Sequence, residues 1–128
     1  MPIELQLLVW TVALAFTQVL VAVVGAALYL DLDTLVGNRD YVPDIPGWAG
    51  RAKRAATNMI ENLALFVPLV LVAHVAGRTN ATTALGAEIF FFARLAYAFV
   101  YAIGIPYLRT LVWLVSVIGL ALIFSQLV

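Results

Sequence analysis

Apolar side chains dominate four long stretches of the sequence, and most charged residues lie in the segments between them. The stretches cover about residues 5–30, 51–77, 83–104 and 106–128. Each is long enough to cross a hydrocarbon layer ~30 Å thick, which takes a helix of roughly 20 residues. Alternation with a period of two over ~10 residues, which is typical of membrane β-barrels, does not occur. The pattern therefore predicts four membrane-spanning helices and no strands.

The connections between these helices differ in length and composition. Residues 31–50 form a polar loop rich in Asp, Gly and Pro. The turn Gly104-Ile105-Pro106 is so short that the third and fourth helices must form an antiparallel hairpin, and proline suits a first helical turn. Asn80-Ala-Thr82 matches a glycosylation acceptor, but we interpret Asn80 as a helix cap. The expected fold is all-α, a single transmembrane domain with an up-down four-helix bundle.

Composition supports a membrane protein and excludes several functions. Hydrophobic residues make up 65% of the 128 residues and charged residues only 11%, whereas soluble domains carry about 25% charged residues. Seven basic and seven acidic side chains cancel, so no nucleic-acid partner is expected. The chain has no cysteine and one histidine, His74, so neither a metal site nor a protein thiol is expected.

The distribution of Lys and Arg predicts the orientation in the membrane. The side with the first and third loops carries five basic residues, and the other side carries only Arg78. Basic residues concentrate in cytoplasmic loops. We therefore expect residues 31–50 and 104–106 in the cytoplasm and both termini outside. The five basic residues are Arg39, Arg51, Lys53, Arg54 and Arg109.

Two ionisable residues lie deep inside the predicted spans, where they mark functional sites by default. At 1.5 Å per residue, Glu61 lies roughly 15 Å from Arg51, and Arg94 lies roughly 15 Å from Gly104. Each would be costly alone, so we expect the two to pair or to line a polar cavity.

Helical spacing extends each of these positions into a polar stripe. Arg51, Arg54, Asn58 and Glu61 share one face of the second helix, and Arg94, Tyr97 and Tyr101 share one face of the third. On two antiparallel helices the residue numbers rise in opposite directions, so two residues at the same depth have numbers that add up to a constant. On that basis Arg54 lies level with Tyr101, Asn58 with Tyr97, and Glu61 with Arg94. A structural ion pair with polar contacts between helices would explain one pair, but not a stripe that continues to the basic end.

These motifs resemble those of the membrane-associated proteins in eicosanoid and glutathione metabolism, the MAPEG family, and point to a short bacterial-type member. The segment from Arg51 to Glu61 is similar to the family's second-helix signature, in which Asn and Glu follow an Arg at +4 and +7. Arg94, Tyr97 and Tyr101 resemble the third-helix motif of leukotriene-forming members. This sequence differs from the leukotriene-forming members at Asn62, where those members carry an aromatic residue.

The resemblance implies a homotrimer of four-helix subunits that binds glutathione, as a co-substrate, near the cytoplasmic face. It implies a glutathione transferase or peroxidase acting on apolar electrophiles or lipid hydroperoxides that arrive from membrane lipid. Arg109 falls at the position where leukotriene-forming members carry the arginine that holds the glutathione thiolate. It is therefore the expected catalytic residue. The expected glutathione-binding residues are Arg51, Arg54, Asn58, Glu61, Arg94, Tyr97 and Tyr101.

Two other functions remain open at this stage. Four short helices would also suit a small transporter, although the first span carries no carboxylate between Glu4 and Asp31 at its ends. A trimer that binds glutathione or lipid without catalysis is the other alternative. Gln18, alone among apolar residues of the first span, is either a contact between helices or a contact to the site.

Overall fold

A computed structural model describes all 128 residues and contains five α-helices. The four long helices are each long and apolar enough to cross a membrane, which confirms the all-α fold. Helix α3 begins at Gly47, earlier than the predicted residue 51, and continues through Pro68. The loop predicted for residues 31–50 contains the short helix α2. The helices are α1 (Ile3–Tyr29), α2 (Leu32–Val36), α3 (Gly47–Val75), α4 (Ala81–Ile103) and α5 (Pro106–Ser125).

Small residues allow the long helices to approach closely in two antiparallel pairs. Between α1 and α3, a Cβ at Gly25 would lie only 2.9 Å from the Cβ of Ala49. Between α4 and α5, a Cβ at Gly119 would lie 2.6 Å from the carbonyl oxygen of Gly86. Lipid tails are as apolar as the helix surfaces, so association in a membrane depends on such close contacts rather than on burial from water.

The largest apolar core lies at one end of the bundle. It joins the beginning of α1 to the second half of α3, and the first half of α4 to the end of α5. Phe66 and Phe90 stack at its centre with ring centroids 4.1 Å apart. At this end the hydroxyl of Thr83 also donates to the buried carboxylate of Glu4 over 2.9 Å, which ties α1 to α4. The core residues are Leu7, Leu8, Phe66, Val70, Ala87, Phe90, Leu120 and Ile123.

Capping residues and turns set the ends of several helices. The Asn80 side chain accepts hydrogen bonds from the backbone N–H groups of Thr82 and Thr83, so the predicted helix cap is confirmed. Gly104 ends α4 with φ at +88°, and Pro106 begins α5, as the tight turn requires. Asp31 caps α2, and hydrogen bonds from Thr34 hold the pKa of Asp31 below its ordinary value.

The glycine contact between α4 and α5 can be tested by substitution. We expect Gly119→Val to lower the stability of the detergent-solubilised protein by about 1–3 kcal/mol, because the added carbons meet the backbone of Gly86. Thermal unfolding measures the effect. The control is Ala121→Val, which adds two carbons at an exposed position of α5, compared with three at Gly119. Equal melting temperatures for both variants would show that the helices do not approach at Gly119.

Candidate functional site

The end of the bundle opposite the apolar core carries arginines that no carboxylate neutralises. The guanidinium groups of Arg51, Arg54 and Arg109 come from α3 and α5 and surround the last turn of α4. Their partners there are a carbonyl oxygen, a phenol and an aromatic ring. A cluster of cations with only neutral partners is suited to binding an anion.

Tyr101 connects two of these arginines. The Nε of Arg54 donates to the Tyr101 hydroxyl over 3.0 Å, and the guanidinium carbon of Arg109 lies 4.9 Å from the centre of the same ring. The equal depth predicted for Arg54 and Tyr101 is therefore confirmed. Arg109 occupies the first turn of α5, where its charge opposes the helix dipole unless an anion binds nearby.

Tyr97 and Arg94 extend this network towards the middle of the bundle. The rings of Tyr97 and Tyr101 lie 5.6 Å apart, and the guanidinium carbon of Arg94 lies 4.2 Å from the centre of the Tyr97 ring. Both tyrosines are buried against Ala55. We call this set the arginine–tyrosine network; it comprises Arg54, Arg109, Tyr101, Tyr97 and Arg94.

The predicted contact between Glu61 and Arg94 is wrong for the single chain. Glu61 is exposed, whereas Arg94 is 0% exposed and its three guanidinium nitrogens have no hydrogen-bond partner. The two positions are level along their helices, but level positions meet only if both side chains lie between the helices. Arg94 instead turns to its own helix and stacks on Tyr97, one turn away.

Glu61 lines a polar groove along the outer side of α3. Its volume is about 350 Å³, and only one of its eight lining residues is hydrophobic. Arg54 and Asn58 line the same groove, so three of the predicted site residues lie together. Arg54 also bonds to Tyr101, so it joins the groove to the arginine–tyrosine network. The lining residues are Asp44, Ile45, Gly50, Lys53, Arg54, Thr57, Asn58 and Glu61.

Arg51 lies apart from the groove. Its Nε donates to the carbonyl oxygen of Ala102 over 3.3 Å, and it lines an apolar cleft between α1 and α4. The helical spacing that placed Arg51 with Arg54 and Glu61 describes the positions of Cα atoms on α3. The long side chain of Arg51 turns towards the end of α4, which spacing alone does not indicate.

Sequence reasoning missed several residues that complete or support the groove. Asp44 and Lys53 line it, because the chain before α3 folds back along the helix. The close approach is marked by Gly50, where a Cβ would overlap the carbonyl oxygen of Ile45.

Asn62 supports the groove from inside the bundle. Its amide donates to the Asn58 backbone carbonyl at 2.8 Å and to the Asn58 side-chain oxygen at 3.2 Å. The four-residue spacing of Asn58 and Asn62 places both on one face of the helix, and this was the signal in the sequence that could have predicted their contact.

Comparison with known proteins identifies the family. A model of the MAPEG family matches residues 7–128, which is almost the whole chain. No curated protein and no solved structure matches the chain. The chain therefore belongs to the MAPEG family, and its four apolar helices make it an integral, multi-pass membrane protein.

The contact between Arg54 and Tyr101 can be measured with a double-mutant cycle. We expect Arg54→Gln and Tyr101→Phe to be non-additive in thermal unfolding by at least about 0.5 kcal/mol, since each removes the same hydrogen bond. The control cycle uses Glu61→Gln and Arg94→Gln, two residues that do not meet, and should be additive. The reverse result, with coupling only in the control cycle, would contradict the geometry described here.

Proposed function

We propose that this MAPEG-family protein binds glutathione in the polar groove of α3 and transfers it to apolar electrophiles or reduces lipid hydroperoxides with it. The observation that carries the proposal is the Arg54–Tyr101–Arg109 contact beside the groove. Two unpaired cations converge there on one phenol, at the membrane end richest in basic residues. Family membership adds support, because glutathione is the ligand associated with the family.

The charges of the groove complement those of the tripeptide, except that Asp44 has no counterpart in it. Glutathione carries two carboxylates and one ammonium group. The groove offers two cations, Lys53 and Arg54, and two carboxylates, Asp44 and Glu61. We assign the cations to the tripeptide carboxylates, Glu61 to the ammonium group, and Asn58 to its amide groups. Lys53 thus replaces Arg51, which the sequence analysis expected among the glutathione-binding residues.

Asn62 holds Asn58 in place for that role. Asn62 is buried and uses its amide to fix both the backbone and the side chain of Asn58. A fixed amide loses less conformational freedom when it binds a ligand than a mobile one does. Leukotriene-forming members carry an aromatic residue at this position, so this hydrogen bond distinguishes the chain from them.

Arg109 is the proposed catalytic residue. Glutathione supplies a thiol, which is a nucleophile as the thiolate and has an ordinary pKa near 8.5. A guanidinium beside the sulfur favours the charged form. Tyr101 accepts a hydrogen bond from Arg54, so its own hydrogen is free to point at the same anion. In conjugation, a sulfur–carbon bond forms, the leaving group departs with its electron pair, and the thiol proton passes to water.

The remaining network residues are proposed to support this centre. Tyr97 and Tyr101 are buried together, and Arg54 joins Tyr101 to the groove. Arg94 lies behind Tyr97, further from the basic end, and contributes its charge through that ring. A homotrimer, as the family resemblance implies, would cover the open side of the groove with a neighbouring copy.

Titration of glutathione into the detergent-purified protein tests the proposed ligand, and Arg109→Leu tests the mechanism. We expect saturable heat, with an ultraviolet thiolate band near neutral pH. In Arg109→Leu we expect most of the affinity to remain and the thiolate band to disappear. Loss of a two-unit depression of the thiol pKa would lower conjugation of a generic electrophile by up to ~100-fold.

Arg39→Leu is the matched control, because Arg39 lies at the same membrane face and bonds to the Leu35 carbonyl of α2. It should conjugate at the parent rate. Parent activity in Arg109→Leu would show that Arg109 only anchors the helix start. Binding without any turnover in the parent would favour the non-catalytic alternative.

We further propose that the groove opens towards the cytoplasm, because the five basic residues lie at its end of the bundle. A cysteine at Tyr41, which is 80% exposed in the loop before α3, should then react with an impermeant reagent only from the cytoplasmic side. A cysteine at Thr79, in the short loop at the opposite end, should react only from outside. Labelling of the two sites from the opposite sides would reverse the orientation.

A further inference from the structure

A further cavity lies where the loop before α3 lies against the end of α1. Its volume is about 310 Å³. Its lining comes from the second half of α1, from α2, from the loop and from the first half of α3. It shares no lining residue with the cleft between α1 and α4. We call it the loop cavity.

One wall of the loop cavity is apolar and runs down α1. The lining of this helix extends from Leu30 to Val19, eleven residues earlier in the chain. At 1.5 Å per residue, this wall reaches about 16 Å into the membrane. One leaflet of a hydrocarbon layer ~30 Å thick has about the same depth. The wall therefore has the length of one lipid chain in one leaflet. The hydrophobic lining residues are Val19, Ala22, Val23, Ala26, Leu30, Leu35, Val42, Ile45 and Ala56.

The charged residues in the lining are both cations, Arg39 and Lys53. The four aspartates of residues 31–44 lie outside the lining. Thr57 uses its hydroxyl on the carbonyl oxygen of Lys53, whereas Thr34 bonds through its backbone N–H and keeps its hydroxyl free. The cavity thus offers two cations and one free hydroxyl to an anion.

Arg39 is held at this cavity in an unfavourable backbone conformation. Its φ is +59°, and it is the one residue other than glycine with a positive φ. In this region the Cβ approaches the following carbonyl oxygen. The Nε and Nη2 of Arg39 both donate to the Leu35 carbonyl oxygen, at 2.9 and 2.7 Å, which leaves Nη1 without a protein partner. Residues in such conformations cluster at ligand-binding sites. A bound anion would explain why the guanidinium is fixed at this place.

We propose that the loop cavity binds a phospholipid whose headgroup carries a net negative charge. The phosphate pairs with Arg39 and Lys53, and one acyl chain lies along α1. A volume of 310 Å³ is near the lower limit of ~300–1,000 Å³ for small-molecule sites, so the second chain stays in the bilayer. Basic residues beside a membrane-spanning helix attract lipids of this charge. A soluble phosphate would leave the apolar wall empty, which favours the lipid.

The loop cavity adjoins the groove. Ile45, Lys53 and Thr57 line both, so a bound lipid would hold the same loop segment that forms one side of the groove. Lys53 is unsuited to a selective test for this reason. Arg39 lines the loop cavity but not the groove, and the test therefore uses Arg39.

Native mass spectrometry of the detergent-solubilised protein with added lipid measures the binding. The probe is dioleoylphosphatidylglycerol, and the comparison is dioleoylphosphatidylcholine, which has the same chains but no net charge. We expect the probe to saturate at one molecule per protein chain and to bind about tenfold more tightly than the comparison lipid. Arg39→Gln should abolish this preference, because a charge-assisted hydrogen bond to the phosphate is lost.

A second substitution tests the position of the chain. Ala22→Phe should weaken binding of the probe by at least about threefold, because the ring occupies space that the acyl chain needs. Its matched control is Ala27→Phe, at an exposed position of α1 outside the cavity. The matched control for Arg39→Gln is Arg78→Gln, which removes an exposed arginine at the opposite end of the bundle. Both controls should bind like the parent, and circular dichroism checks that each variant folds.

Several results would overturn the proposal. Equal affinity of the parent for the two lipids would show that the cavity does not recognise charge. Equal losses in Arg39→Gln and Arg78→Gln would show that only the net charge of the protein matters. Displacement of the probe by glycerol phosphate at the same concentration would indicate a site for soluble anions. Absence of saturable binding would mean that the cavity is closed or covered by a second copy of the chain. No glutathione is present in these measurements, so their outcome is independent of the proposed function.

Discussion

Arg94 carries a guanidinium into the interior of a helix bundle, where it has no carboxylate and no hydrogen-bond partner. An arginine at the centre of a membrane helix costs about 3 kcal/mol on insertion scales. A cation held over an aromatic ring in a dry environment recovers about 2 kcal/mol. The stack on Tyr97 therefore offsets much of the cost, and it fixes Tyr97 against Tyr101. Tyr101 in turn meets Arg54 and Arg109, so the geometry at the basic end depends on this buried charge.

The two ends of the bundle divide stability and binding between them. At one end, the Gly86–Gly119 contact and the Phe66–Phe90 stack hold the helices close together. At the other end, cavities open on both sides of α3, and the buried side-chain oxygen of Gln18 and the guanidinium of Arg94 have no hydrogen-bond partner. Unpaired polar groups are expensive in a low dielectric, so they persist only where the rest of the fold is stable enough. The tight end provides that stability.

Helix α3 separates two cavities of different polarity. The groove on its outer side is polar, with cations and carboxylates in equal number. The cleft between α1 and α4 is apolar apart from Thr17, Gln18 and the single charge of Arg51. Arg54 and Arg51, one turn apart, diverge to the two sides. The direction of the side chain thus decides which cavity each arginine lines.

The sequence by itself determined the four spans, the Asn80 cap, the hairpin at Gly104 and the level of Arg54 with Tyr101. These features follow from local periodicity, turn chemistry and the fixed rise of a helix, which do not depend on distant contacts. Only the tertiary structure decided that Glu61 faces outwards while Arg94 is buried, and that Arg51 turns away from the groove. It also decided that the loop brings Asp44 to α3. Helical spacing specifies the depth of a residue but not the rotation of its helix or the path of a long side chain, and packing against neighbouring helices sets both.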